Sequence, residues 1–202
     1  MRALLATAHE QDWERSLGVR VAAVISNRAD ALGLEVARAF DVPTHVLSHL
    51  EFAGRDAFDQ ALAQAIDSYH PHLVVLAGFM RVLTDRFVER FAGRLLNVHP
   101  SLLPAFPGLS THRQALAAGV RVHGATVHFV SSKVDAGPIV AQGVVCVQPD
   151  DDEASLERRV LELEHRLLPR CVALVASGDV WLEHDQVRAR PGIAVQLAVL
   201  PT

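Results

Sequence analysis

An asparagine and a histidine stand two positions apart in the segment Leu95–Pro104, which reads LLNVHPSLLP. Because side chains alternate along a strand, Asn97 and His99 are predicted to share one face. Pro100 cannot extend a hydrogen-bond ladder, so the strand is predicted to end at His99. An amide donor beside an imidazole could hold a carbonyl oxygen and stabilise the charge that develops when the carbonyl is attacked. The same spacing fits equally well an Asn and a His that only tie down a loop.

An acidic residue that could act on this histidine lies in the turn Val134–Pro138. A carboxylate close to an imidazole favours the charged ring and fixes its orientation. Asp135 is therefore the predicted partner of His99. Turn aspartates also commonly bond their own backbone, and only the approach of Asp135 to His99 separates the two interpretations.

Other motifs limit the chemistry. The sequence has neither a GxGxxG loop nor a GxxxxGK[ST] loop, so neither a dinucleotide enzyme nor a P-loop NTPase is indicated. The remaining histidines lack the cysteine or carboxylate spacing of a metal site, and no metal is predicted. His112 and His128 lie in segments that could line the same cleft as His99.

The first hundred residues alternate between strand and helix patterns. Short apolar, β-branched runs at Val19–Ile25 and Leu73–Leu76 predict strands buried on both faces of a parallel sheet. An apolar stripe at helical spacing predicts a helix over Arg55–His70. This alternation predicts an α/β fold with a doubly wound, Rossmann-like, mostly parallel sheet. Such sheets bind ligands at the carboxyl ends of their strands, where His99 stands.

The pattern changes beyond residue 100. The stretches Val122–Val130 and Pro138–Val147 predict a strand pair added to the sheet. The acidic run Asp150–Glu153 predicts the N-cap of a long C-terminal helix with a carboxylate at its third position. Pro169 predicts a kink in that helix.

Length and composition predict one packed domain over residues 1–202. Half of the residues are hydrophobic and 21% are charged, which excludes a disordered chain. Residues 179–202 are interpreted as a C-terminal extension. Its apolar run, Ile193–Leu200, is predicted to be an edge strand or a tail.

Charge and hydropathy limit the partners. A net charge of −4 disfavours a nucleic-acid binder. No apolar run approaches the roughly 18 residues of a membrane span, and the N-terminus lacks a signal-peptide pattern. Cys146 and Cys171 are interpreted as buried thiols of a reducing compartment. The sequence therefore predicts a cytoplasmic protein without nucleic-acid or membrane partners, either a monomer or a weak homodimer.

Five motifs in one order carry a resemblance to a known family. They are LAGFMRVL at 76–83, LLNVHPSLLP at 95–104, FPGL with THR at 106–113, HGATVHFV at 123–130 and DAGP at 135–138. On these motifs, and over about residues 19–178, the chain resembles the folate-dependent phosphoribosylglycinamide formyltransferases. The resemblance implies the formyltransferase fold and a role in purine synthesis.

The resemblance implies that a formyl group passes from 10-formyltetrahydrofolate, the co-substrate, to the primary amine of glycinamide ribonucleotide. On the family pattern, His99 is the catalytic acid and Asn97 holds the formyl oxygen. Asp135 favours the charged histidine and helps to relay a proton through water. The residues themselves indicated the same roles.

The resemblance also implies binding sites for both small molecules. Asn97 lies at the formyl end of the folate, and Glu164 lies near the substrate amine. Without the resemblance, Met80, Val82 and Leu83 are interpreted as core residues. Glu164 is interpreted as part of an exposed charged face of its helix. The implied folate-binding residues are Arg55, Met80, Arg81, Val82 and Leu83.

Other functions share part of this pattern. A formyltetrahydrofolate deformylase uses water as acceptor and resembles a longer chain with an N-terminal regulatory domain. A methionyl-tRNA formyltransferase needs a further C-terminal domain and a basic surface. A truncated paralogue that binds folate without catalysis is the remaining alternative.

The N-terminus departs from the family pattern. Family members open with an apolar strand and a Gly-Ser-Asn type of loop that holds the ribonucleotide phosphate at a helix N-terminus. Here Met1–Leu5 is already predicted to be helical, so the first strand is expected to be missing from the fold. We expect that Met1 is an internal methionine and that the cellular protein is longer. In-frame upstream DNA that encodes the strand and loop would support this expectation.

Overall fold

The computed structural model describes residues 1–193 and 198–199. Its helices are α1 (Arg2–Glu10), α2 (Trp13–Leu17), α3 (Leu32–Ala39), α4 (Arg55–Asp67), α5 (Asp85–Arg90), α6 (Thr111–Ala118) and α7 (Glu153–Ala176), with a 3-10 turn at His49–Glu51. Its strands are β1 (Val24–Ser26), β2 (Thr44–Val46), β3 (Val74–Leu76), β4 (Leu95–His99), β5 (Val122–Phe129), β6 (Ile139–Cys146), β7 (Val180–Glu183), β8 (Gln186–Ala189) and β9 (Ala198–Val199).

The main sheet has the order β3-β4-β5-β6-β9. Strand β3 runs parallel to β4, whereas β4, β5 and β6 are antiparallel neighbours and β9 runs parallel to β6. Strands β1 and β2 form a separate parallel pair, and β7 and β8 form a hairpin. The α/β class, the added strand pair and the long C-terminal helix are therefore confirmed, and the sheet is mixed.

Two early elements are shorter than predicted. The run Val19–Ile25 forms a strand only from Val24, whose N–H donates to the carbonyl of Pro43 at 2.9 Å. Pro43 has no N–H to return, so the ladder cannot continue before Val24. Helix α4 ends at Asp67 rather than at His70, because His70 precedes a proline and has a left-handed φ of 49°.

Helix α7 differs from its prediction in two details. Asp152 is the N-cap, and the third helical position is Ser155, which completes a reciprocal capping box in place of the predicted carboxylate. The helix also continues through Pro169. A proline inside a helix costs about 3 kcal/mol. The large apolar side chains that α7 buries, at about 1.5–3 kcal/mol each, outweigh that cost. They are Leu156, Val160, Leu163, Leu167, Leu168 and Val172.

The core has three clusters. The largest lies between α7 and the β4–β6 part of the sheet, the second between α4, α5 and β3–β4, and the third around α1, α3 and β1. Two glycines permit the close packing of the first cluster. A Cβ on Gly143 would meet the Leu163 side chain at 2.6 Å, and a Cβ on Gly124 would meet the Gly143 carbonyl oxygen at 1.9 Å. Helix α7 can therefore lie directly on β6.

The C-terminal segment is partly described. Residues Val180–Ala189 form the β7–β8 hairpin, and Arg190 donates its N–H to the Asp179 carbonyl at 2.9 Å. Within the predicted run Ile193–Leu200, Ala198–Val199 forms an edge strand on β6. The other residues of that run after Ile193 lie outside the described residues.

The two cysteines differ. Both are free thiols, but Cys146 is exposed at the end of β6, so the prediction that it is buried is wrong. Cys171 is buried on α7, and burial raises the pKa of its thiol to about 12. Over the described part of the chain, no helix is both long and apolar enough to span a membrane.

Candidate active site at the end of strand β4

Strand β4 ends at His99, and its pairing with β5 collects a polar cluster. Asn97 is opposite His128, and His99 is opposite Thr126. Side chains of directly paired residues lie on the same face of a sheet. Four polar side chains therefore stand together between apolar neighbours: Asn97, His99, Thr126 and His128.

The imidazole of His99 lies between two acceptors. Its Nε2 is 3.0 Å from the Phe106 carbonyl oxygen, and its Nδ1 is 3.5 Å from Oδ2 of Asp135. The side chains of His99 and Asp135 are 7% and 11% exposed. Because the Phe106 carbonyl can only accept, Nε2 of His99 carries a proton, and Nδ1 faces the carboxylate of Asp135. The site therefore holds the imidazole in a fixed orientation, largely away from water.

Asp135 approaches His99 instead of bonding its own backbone. Its Oδ2 also accepts the backbone N–H of Gly108 at 2.8 Å. The backbone of Asp135 is left-handed, with a φ of 51°, as is that of Phe106, with a φ of 53°. Such conformations cost about 1–3 kcal/mol for residues other than glycine and concentrate at functional sites. Both acceptors around His99 thus depend on strained backbone.

The amide of Asn97 is oriented by His128. The Nδ2 of Asn97 lies 3.4 Å from Nε2 of His128, and Nδ1 of His128 lies 3.0 Å from the Phe129 carbonyl oxygen. A carbonyl can only accept, so Nδ1 carries the proton and Nε2 accepts from Asn97. Burial lowers the pKa of His128, which favours this neutral ring. One N–H and the carbonyl oxygen of the Asn97 amide remain for a ligand.

The loop after β4 is held by residues that sequence reasoning missed. The Thr126 hydroxyl donates to the Ser101 carbonyl at 2.7 Å and accepts the Leu103 N–H at 3.0 Å. The side chain of Gln142 donates to the Leu103 carbonyl at 2.8 Å and to the Thr126 hydroxyl at 3.0 Å. The sequence signal for these residues is their polarity within β-rich stretches. Their partners follow only from the register of the strands.

The implied folate residues lie on and beside α4. Arg55 is exposed as the first residue of the helix, and the guanidinium carbon of Arg81 lies 5.2 Å from the ring centroid of Phe58 on the same helix. The carboxylate of buried Asp59 on α4 accepts the N–H of Thr84 at 2.7 Å. This bond fixes the end of the segment Met80–Leu83 to α4. The segment is thus bound to this helix at the carboxyl end of β3.

The apolar members of that segment are not core as a group. Met80 is 77% exposed and Val82 is 54% exposed, so their interpretation as core is wrong. Leu83 is half-buried against the α4–α5 cluster. Isolated exposed apolar side chains are common. Met80 and Val82, however, follow the end of β3, where sheets of this kind bind ligands.

Glu164 is half-buried on α7, which corrects its interpretation as part of an exposed face. Burial raises the pKa of its carboxyl to about 7; the amino group of Met1 lowers it by a smaller amount, and Glu157 raises it slightly. Within the described ranges, neither Glu164 nor the arginines Arg55 and Arg81 bonds directly to His99. The same part of the chain contains no metal-binding group of three or more His, Cys, Asp or Glu side chains.

Comparisons with known proteins point in one direction. A formyl transferase family model matches residues 1–172. Phosphoribosylglycinamide formyltransferase of Escherichia coli (strain K12) is 50% identical over 165 residues, which are 82% of this chain and 78% of that protein. The trifunctional purine biosynthetic protein adenosine-3 of Homo sapiens is 44% identical over 182 residues, which are 90% of this chain but only 18% of that protein.

Solved structures agree with the sequence comparisons. Glycinamide ribonucleotide transformylase 1 from Symbiobacterium toebii superimposes with a TM-score of 0.87 at 45% identity, covering 93% of this chain and 87% of the other. A formyltetrahydrofolate deformylase from Pseudomonas syringae gives a TM-score of 0.81 at 27% identity, covering 94% of this chain and 62% of the other. Both sequence identity and shared length therefore favour the transformylase over the deformylase.

Proposed function

This chain belongs to the phosphoribosylglycinamide formyltransferase family, and we propose that it transfers the formyl group of 10-formyltetrahydrofolate to the amine of glycinamide ribonucleotide in purine biosynthesis. The observation that carries the proposal is the His99 imidazole, held between the Phe106 carbonyl and the Asp135 carboxylate on the same strand as Asn97. This set places an imidazole and an amide donor side by side, where they can stabilise the charge that develops when a formyl carbonyl is attacked.

The first step is attack of the substrate amine on the formyl carbon. The carbonyl oxygen becomes negatively charged as the tetrahedral intermediate forms. The free N–H of Asn97 donates to this oxygen, and the imidazolium of His99 stabilises its charge in a site with little water. Because His128 holds the Asn97 amide in place beforehand, little reorganisation is needed when the charge appears.

Proton transfer completes the reaction without any net acid or base. The amine nitrogen gives up one proton when it keeps the formyl group, and N10 of the folate takes up one proton when the carbon–nitrogen bond breaks. His99 is the donor toward N10, and Asp135, through water, accepts from the amine and restores His99. The pair therefore needs only to pass a proton from one nitrogen to the other.

The remaining site residues bind the two small molecules. Arg55 and Arg81 offer guanidinium groups for the glutamate carboxylates of the folate. The exposed apolar surface of Met80 and Val82, with Leu83, suits a flat pterin ring. Glu164, whose carboxyl has a raised pKa, accepts a hydrogen bond from the substrate amine and orients it for attack. That the protein is cytoplasmic, and either a monomer or a weak homodimer, stays a prediction.

The test is a transfer assay with purified protein and both substrates. Formylated glycinamide ribonucleotide is expected by mass spectrometry, in step with the absorbance change that accompanies loss of the formyl group from the folate. A reaction without the ribonucleotide measures hydrolysis, and its rate is expected to be far lower. Equal folate deformylation with and without the ribonucleotide would indicate a deformylase, and folate binding without turnover would indicate a non-catalytic protein. Either result contradicts the proposal.

A further inference from the structure

His123 is a fully buried histidine that the mechanism above does not use. It is the second residue of β5, and its side chain is 0% exposed. Neither ring nitrogen has a hydrogen-bond partner of good geometry. The backbone of Pro100 is close enough only to raise the pKa of the ring by a small amount. Burial, and then the neighbouring His112, lowers the pKa of His123 to about 4. The ring is therefore neutral and polar in an apolar position.

Hydrogen bonding does not account for the contribution of this residue. A buried polar group without a hydrogen bond loses its hydration and gains no partner in exchange. A phenylalanine of similar shape would avoid that loss. What His123 contributes is therefore the packing of its ring, which a phenylalanine would also supply.

The ring of His123 contacts two other rings. It packs edge to face against His112, with centroids 5.3 Å apart, and against Phe106, with centroids 5.9 Å apart. Aromatic pairs prefer this geometry, which constrains both separation and angle. His123 thus holds the side chain of Phe106 from inside the protein.

Phe106 attaches the loop after β4 to the protein interior. It is half-buried against the largest core cluster, whereas its neighbours Pro104, Ala105, Pro107 and Gly108 are exposed. Its backbone carbonyl accepts from Nε2 of His99 at 3.0 Å. The side chain that contacts His123 and the carbonyl that contacts His99 therefore belong to one strained residue with a φ of 53°.

We propose that His123 is a positioning residue, whose ring holds Phe106 and thereby the backbone carbonyl that orients the His99 imidazole. The consequence for turnover rests on the proposed function, whereas the consequence for the His99 ring does not. Displacing a catalytic group by about 1 Å can lower a rate by about 100-fold. Loss of the His123 ring is therefore expected to lower kcat more than it raises KM.

Four variants test the proposal by kinetics: His123→Ala, Phe106→Ala, the double variant, and His123→Phe. Each alanine variant is expected to lower kcat about 10- to 100-fold, with KM for both substrates within about threefold. The double variant is expected to lose no more than the worse single variant, because both changes remove one contact. His123→Phe keeps the edge-to-face contact and is expected to restore kcat to within about threefold of the original protein.

The matched control is Val180→Ala, which removes a buried side chain from the same core cluster on β7. It is expected to lower thermal stability without lowering kcat at a temperature where all variants are folded. Additive losses in the double variant would overturn the proposal. A His123→Phe variant as impaired as His123→Ala would also overturn it, because the ring nitrogens rather than the ring contact would then matter.

A second readout does not require activity. In ¹⁵N-edited NMR spectra, the Nε2 proton of His99 is expected to exchange slowly with water while the Phe106 carbonyl accepts it. Exchange is expected to be at least tenfold faster in His123→Ala and unchanged in His123→Phe and Val180→Ala. Unchanged exchange in His123→Ala would overturn the inference even if transfer activity were high. Absence of transfer in the original protein would contradict the proposed function alone.

Discussion

The carboxylate of Asp135 accepts a hydrogen bond from the backbone N–H of Gly108, with an oxygen–nitrogen distance of 2.8 Å. The same oxygen faces the imidazole of His99 at 3.5 Å. One side chain thus connects the turn before β6, the loop after β4 and the proposed catalytic ring. The negative charge of Asp135 faces His99, whereas the hydrogen bond that it accepts from Gly108 holds the loop after β4 in place.

Substitutions at Asp135 are expected to separate these two effects. Asp135→Asn keeps an acceptor for Gly108 but removes the charge, so kcat should fall by about 100-fold or more while the loop stays in place. Asp135→Ala removes both, and the Gly108 amide should exchange its hydrogen faster. Steady-state kinetics and hydrogen exchange measure the two effects. An Asn variant with the original kcat would show that the charge is not needed.

Removing the imidazole is expected to stop turnover but not folate binding. In the proposed mechanism His99 acts on the transferring carbon unit, whereas the folate is bound chiefly by the α4 region. His99→Ala should therefore lower kcat by about 100- to 10,000-fold and change the folate Kd by less than about threefold. Calorimetry and the transfer assay give the two values. A large loss of folate affinity with little change in kcat would assign His99 to binding instead.

The Thr126 hydroxyl is expected to contribute measurably to stability. Thr126→Val keeps the shape of the side chain but removes the partner of the Leu103 N–H and of the Ser101 carbonyl. It leaves the Gln142 amide only its bond to the Leu103 carbonyl. The free energy of unfolding should fall by about 1–3 kcal/mol in urea titrations. Thr44→Val, at a half-buried threonine on β2, is the control and should change it by less than about 0.5 kcal/mol. Equal effects at the two positions would contradict the importance of this contact.

Glu164 is expected to make the fold less stable as pH rises. Its pKa is about 7 in the folded protein and 4.5 without burial, so between these values the unfolded chain has released the proton that the folded chain retains. The free energy of unfolding should therefore fall from about pH 4.5 to 7, by at most about 3 kcal/mol, and then level off. The Glu164→Gln variant should lack this pH-dependent decrease in the free energy of unfolding. Parallel stability profiles for the two proteins would contradict the assignment.

His123 is expected to act in the opposite direction. Its pKa falls from 6.5 to about 4 on folding, so between these values the unfolded chain binds a proton that the folded chain does not. Stability should be complete above about pH 6.5 and should decrease, by at most about 3 kcal/mol, as pH falls to about 4. The difference between the original protein and His123→Phe, measured in urea at several pH values, isolates this component. A difference independent of pH would show that His123 titrates normally.

Local patterns predicted much of the fold because they report on local physics. Apolar periodicity located α4 and α7, and the β-rich stretches located β5 and β6. The errors lie where a neighbour in space sets the end of an element, as at Val24, whose pairing begins beside Pro43. Burial was also misjudged for Met80, because an apolar residue after a strand end can face solvent or a ligand as readily as the core.

The sequence by itself determined that Asn97 and His99 share a face and that the strand ends beside them, because alternation and proline act on adjacent residues. Its motifs also indicated the family. The sequence also named Asp135 as the partner of His99, but only the tertiary structure decided that its carboxylate approaches the imidazole. The structure alone revealed the Phe106 carbonyl beside the imidazole and, behind it, the His123 ring. These contacts join segments far apart in the chain. They depend on strand register and loop backbone, which no local pattern encodes.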